Sequence, residues 1–256
     1  SQPIGGLDWV RMSVWPELPS GRRSLTLVDL FCSCGGMTLG AWEGARVARR
    51  RLDVRLAVDI IPQPIQVYKD NFYDVASKIK TVDVTRIFDG QRGENKSPQE
   101  AYWRRQIGEL DLLVAGPPCQ GHSDLNNSTR RKDPRNALYL RVPRAAEVLK
   151  PKVVIIENVP AVQHDEGEAL QLAQKWLTEE GYHLSSGVLQ LARFGVPQSR
   201  KRHFLLAVKG HKFELSDLDD INFSTQTLGT FLSGLEESAN TNGLLSTPAR
   251  MTQRNA

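Results

Sequence analysis

Apolar residues in this chain gather into short continuous runs, each closed by a turn residue or a carboxylate. The clearest are Leu112-Leu113-Val114-Ala115, stopped by Gly116-Pro117-Pro118, and Val153-Val154-Ile155-Ile156, stopped by Glu157. Runs of this length without strict alternation mark strands buried on both faces, as in parallel sheets. On that pattern strands are predicted at 24–31, 52–61, 79–82, 111–115, 153–156, 182–191 and 202–208. Helical spacing fills the intervals at 37–50, 62–71, 136–149 and 166–180, with Pro62 and Pro64 suited to a first turn and Gly181 to a stop. Residues 89–106 are polar, contain Gly90, Gly93 and Pro98, and read as a loop or a weak helix. The polar, basic stretch 124–133 has the character of a loop.

Strands alternating with helices predict an α/β fold: a doubly wound, mostly parallel sheet with helices on both faces. The last two strands are close enough in sequence to form a terminal antiparallel hairpin. Residues 1–24 read as an amino-terminal arm, 25–210 as the domain, and 211–256, where apolar density falls, as a connector or tail.

Composition adds limits. The chain has 256 residues, 40% hydrophobic and 24% charged, enough for one sizeable globular domain. No apolar run reaches the roughly 18 residues of a membrane span. Trp9, Trp15, Pro16 and Pro19 interrupt any secretory signal at the start, so a cytoplasmic or nuclear protein is expected, not a secreted one. A chain opening on Ser1 reads as a processed or excised piece. Three cysteines suit a reducing compartment, and Cys32-x-Cys34 has no partner pair for a metal site. The net charge of +4 is modest, but it collects in knots at Arg49-Arg50-Arg51, Arg130-Arg131-Lys132 and Arg200-Lys201-Arg202. Such knots attract phosphate backbones, although each is equally read as a solvated face.

Candidate chemistry falls at strand ends, where open α/β sheets bind ligands. Asp29-Leu30-Phe31-Cys32-Ser33-Cys34-Gly35-Gly36 has the layout of a nucleoside-binding strand, turn and helix, or more simply of a glycine-capped turn. Asp59 and Asp83 end successive strands, where a carboxylate accepts ribose hydroxyls or merely caps a helix. Cys119 follows Pro118 and precedes Gln120-Gly121-His122-Ser123, an unlikely core setting for a thiol. Glu157 follows four β-branched residues, and burying it is costly unless it is paired or functional. Gln198, Arg200 and Arg202 alternate and would share one face if extended, set to hold a base edge, a carboxylate or a phosphate, or simply exposed on an edge strand.

Asp29-Leu30-Phe31 with Gly35-Gly36, Gly116-Pro117-Pro118-Cys119-Gln120, Glu157-Asn158-Val159 and Gln198-Ser199-Arg200-Lys201-Arg202 follow in the order and rough spacing of the cytosine-C5 DNA methyltransferase family. The resemblance covers about 25–208 and implies the methyltransferase variant of the doubly wound sheet, with S-adenosylmethionine as cofactor. It assigns Phe31, Cys34, Gly35, Gly36, Asp59, Ile60, Asp83, Val84, Gly116, Pro118 and Leu138 to the cofactor site, with Asp59 on the ribose and Asp83 and Val84 on the adenine. Cys119 becomes the nucleophile at C6 of the target cytosine and Glu157 the acid at N3, with Arg202 and Arg200 fixing the base and the catalytic loop. Gln120, Ser123, Arg130, Arg131 and Gln198 are implied DNA contacts around a base flipped out of double-stranded DNA. This matches the chemistry, since C5 of cytosine becomes nucleophilic only after a thiolate adds at C6.

Two positions depart from the family pattern: Ser33 replaces a usual glycine and His122 a usual Phe. Beyond Val208 no later family motif and no full target-recognition domain is legible. The expectation is therefore a catalytic portion, completed by a second subunit or by a domain the given chain lacks. Methylation of tRNA cytosine, and a catalytically silent cofactor- or DNA-binding subunit, are the alternatives.

Overall fold

The computed structural model describes Pro16 and residues 24–118, 136–164, 168–219 and 227–229. Contacts divide the chain into two compact units, one built on 19–189 and 201–220, the other on 2–18, 190–200 and 221–256.

Among the described residues the first unit is organised on a seven-stranded sheet in the order β3-β2-β1-β4-β5-β7-β6. The strands are β1 (Leu25–Leu30), β2 (Leu52–Asp59), β3 (Ile79–Thr81), β4 (Leu112–Ala115), β5 (Val153–Asn158), β6 (His183–Gln190) and β7 (Lys201–Val208). β1 pairs in parallel with β2 and β4, β2 with β3, and β4 with β5. β7 runs antiparallel to β5, with Glu157 opposite Phe204 and Asn158 opposite His203. The expected terminal hairpin is present, since β6 and β7 are neighbours; β7 is its inner strand, against β5, and β6 lies at the edge. Leu205 and Ala207 on β7 are fully buried, which favours the inner position for that strand.

The helices are α1 (Gly36–Val47), α2 (Pro62–Phe72), α3 (Pro98–Ile107), α4 (Asn136–Tyr139), α5 (Arg141–Leu149) and α6 (Ala169–Glu179). Alternate strand residues, Val28 and Leu30, Leu56 and Val58, Leu113 and Ala115, Val154 and Ile156, form one buried cluster with α3, α5 and α6. Positions of the other parity, such as Asp29, face α1, where Thr38 meets it. Among the described residues no helix is long and apolar enough to cross a membrane.

One helical expectation is settled and another needs correction. Of the loop or weak helix expected at 89–106, residues 98–107 form a well-capped helix, since the Ser97 hydroxyl accepts from the Glu100 amide and the Glu100 carboxylate accepts from the Ser97 amide. The 136–149 helix breaks at Leu140 because Pro143 has no N–H for the Tyr139 carbonyl. The loop before α3 is held by a buried ion pair. Arg144 donates to both oxygens of Glu100, at 2.9 and 2.6 Å, and those oxygens also accept from Gly90 and Ser97 amides. A Cβ on Gly90 would come within 2.5 Å of the guanidinium.

Candidate active site

The turn after β1 is forced into an unusual path. Phe31, Ser33 and Gly35 all adopt left-handed backbone, at φ 58°, 48° and 94°. The Gly35 amide closes on the Cys32 carbonyl at 2.8 Å, and the Cys32 amide reaches Val58 of β2 at 3.0 Å. Asp59, the last residue of β2, fastens this turn. Its carboxylate accepts the Ser33 amide and the Ile61 amide, both at 2.9 Å. The left-handed backbone at Ser33 accounts for glycine being the easier residue there. At Gly35 no side chain fits, because a Cβ would lie 2.3 Å from Phe72 and 3.0 Å from Tyr68. Gly36, which begins α1, has open space above it.

Beneath the turn lies a polar chain that pattern reading missed. The Thr38 hydroxyl donates to Asp29 Oδ2 at 2.6 Å and sits 2.8 Å from the Tyr68 hydroxyl. All three are buried, and Asp29 Oδ1 has no hydrogen-bond partner. Burial, opposed by the Thr38 bonds and reinforced by Asp59, pushes the Asp29 carboxyl up to about 7. Burial, then Asp29 and Asp59, drive the Cys32 thiol well above its usual range, so Cys32 is a packing residue. Cys34 is exposed. The one available signal was Asp29 itself, a carboxylate inside an otherwise apolar strand.

Beyond the turn, Ile60 and Ile61 stand 62% and 51% exposed at the end of β2, apolar side chains with no core to join. Phe31 is half-buried against the core. Asp83 caps a 3₁₀ turn, Val84–Arg86, with Oδ1 accepting both the amide and the hydroxyl of Thr85 at 2.8 Å. Val84 is buried in the core, while Leu138 packs against it partly exposed.

The ends of β4, β5 and β7 meet beside this. The register that pairs Ala115 with Ile156 sets Gly116 next to Glu157, and a Cβ on Gly116 would touch Glu157 Oε2 at 3.7 Å. Glu157 Oε1 is gripped by Arg202 Nε at 2.8 Å, with both side chains partly exposed. Asn158 is buried and spans from the Val159 amide to the Pro117 carbonyl, at 2.8 and 3.4 Å. It ties the Pro117-Pro118 turn to the strand that carries Glu157, a positioning role that the sequence reading did not assign. Pro118 is half-buried.

Cys119, Gln120, His122, Ser123, Arg130 and Arg131 lie outside the described residues. Gln198 and Arg200 fall in the second unit. The 196–200 segment is folded on itself, with the Gln198 amide on Val196 and the Arg200 amide on Gln198, both at 2.8 Å. The extended conformation that would align Gln198, Arg200 and Arg202 on one face is therefore absent; strand β7 starts only at Lys201. The Arg49-Arg50-Arg51 knot sits before β2, at the edge of the sheet opposite these groups.

A parallel sheet in this order, with an antiparallel β7 inserted and a tight glycine turn after β1, is the fold of an S-adenosylmethionine-dependent methyltransferase. The chain belongs to the C-5 cytosine-specific DNA methylase family, which it matches over residues 25–254. It is similar to the type II methyltransferase M1.BsuMI of Bacillus subtilis, with 37% identity covering 84% of this chain and 49% of that protein. Among solved structures it is similar to an Escherichia coli prophage protein assigned as a DNA modification methyltransferase, with TM-score 0.60 and 26% identity over 80% of this chain and 52% of the other. The fold is shared with the Dnmt2 methyltransferase of S. pombe, at TM-score 0.58 and 23% identity over 80% of this chain and 57% of that one. The chain spans about half the length of the relatives it matches.

Proposed function

We propose that this chain carries the catalytic half of a cytosine-C5 DNA methyltransferase. The observation that supports this most is the Glu157–Arg202 pair beside Gly116, three residues before Cys119 in the chain. The site residues fit the cofactor. Asp59 and Asp83 keep lone pairs for hydroxyl or amine donors, Ile60 and Phe31 offer apolar surface, and the buried Asp29 Oδ1 is an acceptor still without a donor. When bound, S-adenosylmethionine supplies an electrophilic methyl group.

The chain's own groups would do the rest. A cytosine extruded from the duplex is attacked at C6 by the Cys119 thiolate. Charge pushed into the ring is met at N3 by Glu157, which protonates or hydrogen-bonds it while Arg202 holds the other carboxylate oxygen. C5 then takes the methyl group, a proton leaves C5, and Cys119 departs to restore the aromatic ring. Asn158 keeps the Pro117-Pro118 turn in register with Glu157 throughout. Gln120, Ser123, Arg130, Arg131, Gln198 and Arg200 contact DNA in this reading.

Target recognition would come from polypeptide corresponding to the half of the relatives this chain does not span, either in a second subunit or further along the same protein. The isolated chain is then weakly active or inactive at specific sites. The names of its relatives and of its family favour DNA over tRNA. The presence of both Cys119 and Glu157 favours an enzyme over a silent subunit.

Trapping on duplex DNA containing 5-fluorocytosine, with S-adenosylmethionine and the completing polypeptide, tests the reading. A covalent adduct lost in Cys119→Ser is expected. Full adduct yield in Cys119→Ser, or none in the native chain, refutes it.

A further inference from the structure

The amino edge of the sheet, opposite the proposed site, is basic in a way that packing does not require. Backbone bonds run along it in sequence. Leu25 binds the Arg51 carbonyl at 2.8 Å, Lys152 binds the Leu110 carbonyl at 3.2 Å, and Lys209 binds the Lys152 carbonyl at 2.9 Å. The strand order β2-β1-β4-β5-β7 therefore sets Arg51, Lys152 and Lys209 along one edge, about 19 Å from end to end at ~4.8 Å per strand. Arg49 and Arg50 at the end of α1 and Lys150 at the end of α5 add to it, and all but the half-exposed Lys209 are exposed. Against these stand Asp53, Asp74, Glu109 and Asp111, with Glu179 and Glu180 at the end of α6, which pair with Arg92. Asp53 is paired with Arg55 and Asp111 with Lys152. Among the described residues Arg49, Arg50 and Arg51 have no carboxylate partner.

Helix carboxyl ends attract cations, and one per end would satisfy that preference. Two of these cations go further. Arg49 sits at φ 56° just past α1, with the Arg50 amide reaching back to Ala45 at 2.8 Å, a helix ending that favours glycine. Lys150 does the same at φ 53° after α5. Of the other helix ends at this edge, those of α3 and α6 place glycine in left-handed backbone, Gly108 and Gly181, and that of α2 avoids the conformation, with Tyr73 at φ −57°. Left-handed backbone strains a residue with a side chain, so the two helix ends flanking the central strands carry a cation at the expense of local stability. Such a substitution makes sense where the charge has a use.

We propose that this edge is a second, sequence-independent binding surface for the phosphate backbone of duplex DNA. It is separate from the surface that presents the target base. Duplex DNA carries one phosphate charge per ~1.7 Å of axis on its two strands together, so a row ~19 Å long lies along a stretch of duplex that holds about eleven phosphates, of which one side meets the row. β2 alone separates the two edges by eight residues, roughly 26 Å, so a straight duplex seated at the site does not also lie along this edge. The surface therefore takes another segment of the same molecule or a second duplex. The inference rests on the DNA-methylating reading for the choice of polyanion, but its test needs no methyl transfer.

The test is binding of a fluorescent A·T-only duplex, which contains no target cytosine, by the full chain across a salt series. In Arg49→Gly/Lys150→Gly the slope of log affinity against log salt should fall by about 1.8, two contacts at ~0.9 each. The native chain should then lose about twelvefold more affinity than the variant between about 50 and 200 mM salt. The melting midpoint should rise, because glycine relieves both left-handed positions. Arg50→Gln/Arg51→Gln should lower the slope equally. An unchanged slope in both variants overturns the proposal, as does an equal fall in the charge-matched Lys96→Gln/Lys175→Gln. Capture by phosphatidylserine vesicles without duplex binding also overturns it, pointing to a lipid surface instead. Adduct formation on a short 5-fluorocytosine duplex should persist in the Arg49→Gly/Lys150→Gly variant, which separates failure of this surface from failure of the active-site reading.

Discussion

Replacing Gly35 by alanine asks how tightly the turn after β1 is constrained. The added methyl would sit 2.3 Å from Phe72 Cε2, whereas carbon atoms rest at about 3.5–4.0 Å, so more than 1 Å of movement is needed. Phe72 is buried and stacks on Tyr68 at a centroid distance of 4.8 Å, so the ring cannot swing into solvent. Overpacking of this kind costs about 1–3 kcal/mol, and left-handed backbone without glycine adds about 1–2 kcal/mol. The expected loss is therefore about 2–5 kcal/mol, read from urea unfolding followed by tryptophan fluorescence. Movement of Phe72 passes through Tyr68 to Thr38 and Asp29, so S-adenosylmethionine affinity measured by calorimetry should fall as well. Shortening the ring in Gly35→Ala/Phe72→Leu removes the clash but not the backbone strain. The double variant should thus lose about 1–3 kcal/mol less than the two single losses added together. A Gly35→Ala protein as stable as the native chain, or strictly additive losses, would refute the steric argument.

Three further outcomes follow from the same geometry. Arg144→Met should destabilise the fold by about 3–5 kcal/mol, because it strands the fully buried Glu100 carboxylate, while Arg144→Met/Glu100→Met should recover much of that in urea unfolding. Asp29 is pushed up to about 7 in the fold, so the folded chain binds the extra proton between its unfolded value near 4 and pH 7. Stability should therefore decline with rising pH across that window, by roughly 4 kcal/mol at most, and Asp29→Asn should flatten the decline in unfolding curves recorded from pH 4 to 8. Arg202→Met breaks a partly exposed pair and should cost under about 1 kcal/mol of stability. It should still slow methyl transfer by about tenfold or more in single-turnover assays, as Glu157 loses the group that orients it.

Much of the architecture was legible because buried parallel strands leave long apolar runs, and glycine, proline and carboxylates punctuate them. Gly90, Gly93 and Pro98 left α3 legible only as one of two alternatives, a loop or a weak helix, and the reciprocal bonds of Ser97 and Glu100 show that Pro98 starts a helix. The break at Leu140 was written in Pro143, but the helical periodicity on either side masked it. Asp59 and Asp83 were legible as strand-end carboxylates. That Asp59 ties together the turn and β2, and that Asp83 caps a turn, required the fold.

By itself the sequence determined that a thiol, Cys119, and a carboxylate, Glu157, stand just past two buried apolar runs. Those properties are local, set by residue chemistry and by the length of an apolar run. Tertiary structure alone decided that β7 enters between β5 and β6, which brings Arg202 onto Glu157, and that Asn158 reaches Pro117. It also decided that the arginine knot at 49–51 lies on the opposite edge from the site. The reason is that these relations join residues distant in the chain through strand order and register, and strand pairing leaves no periodic trace in a single sequence.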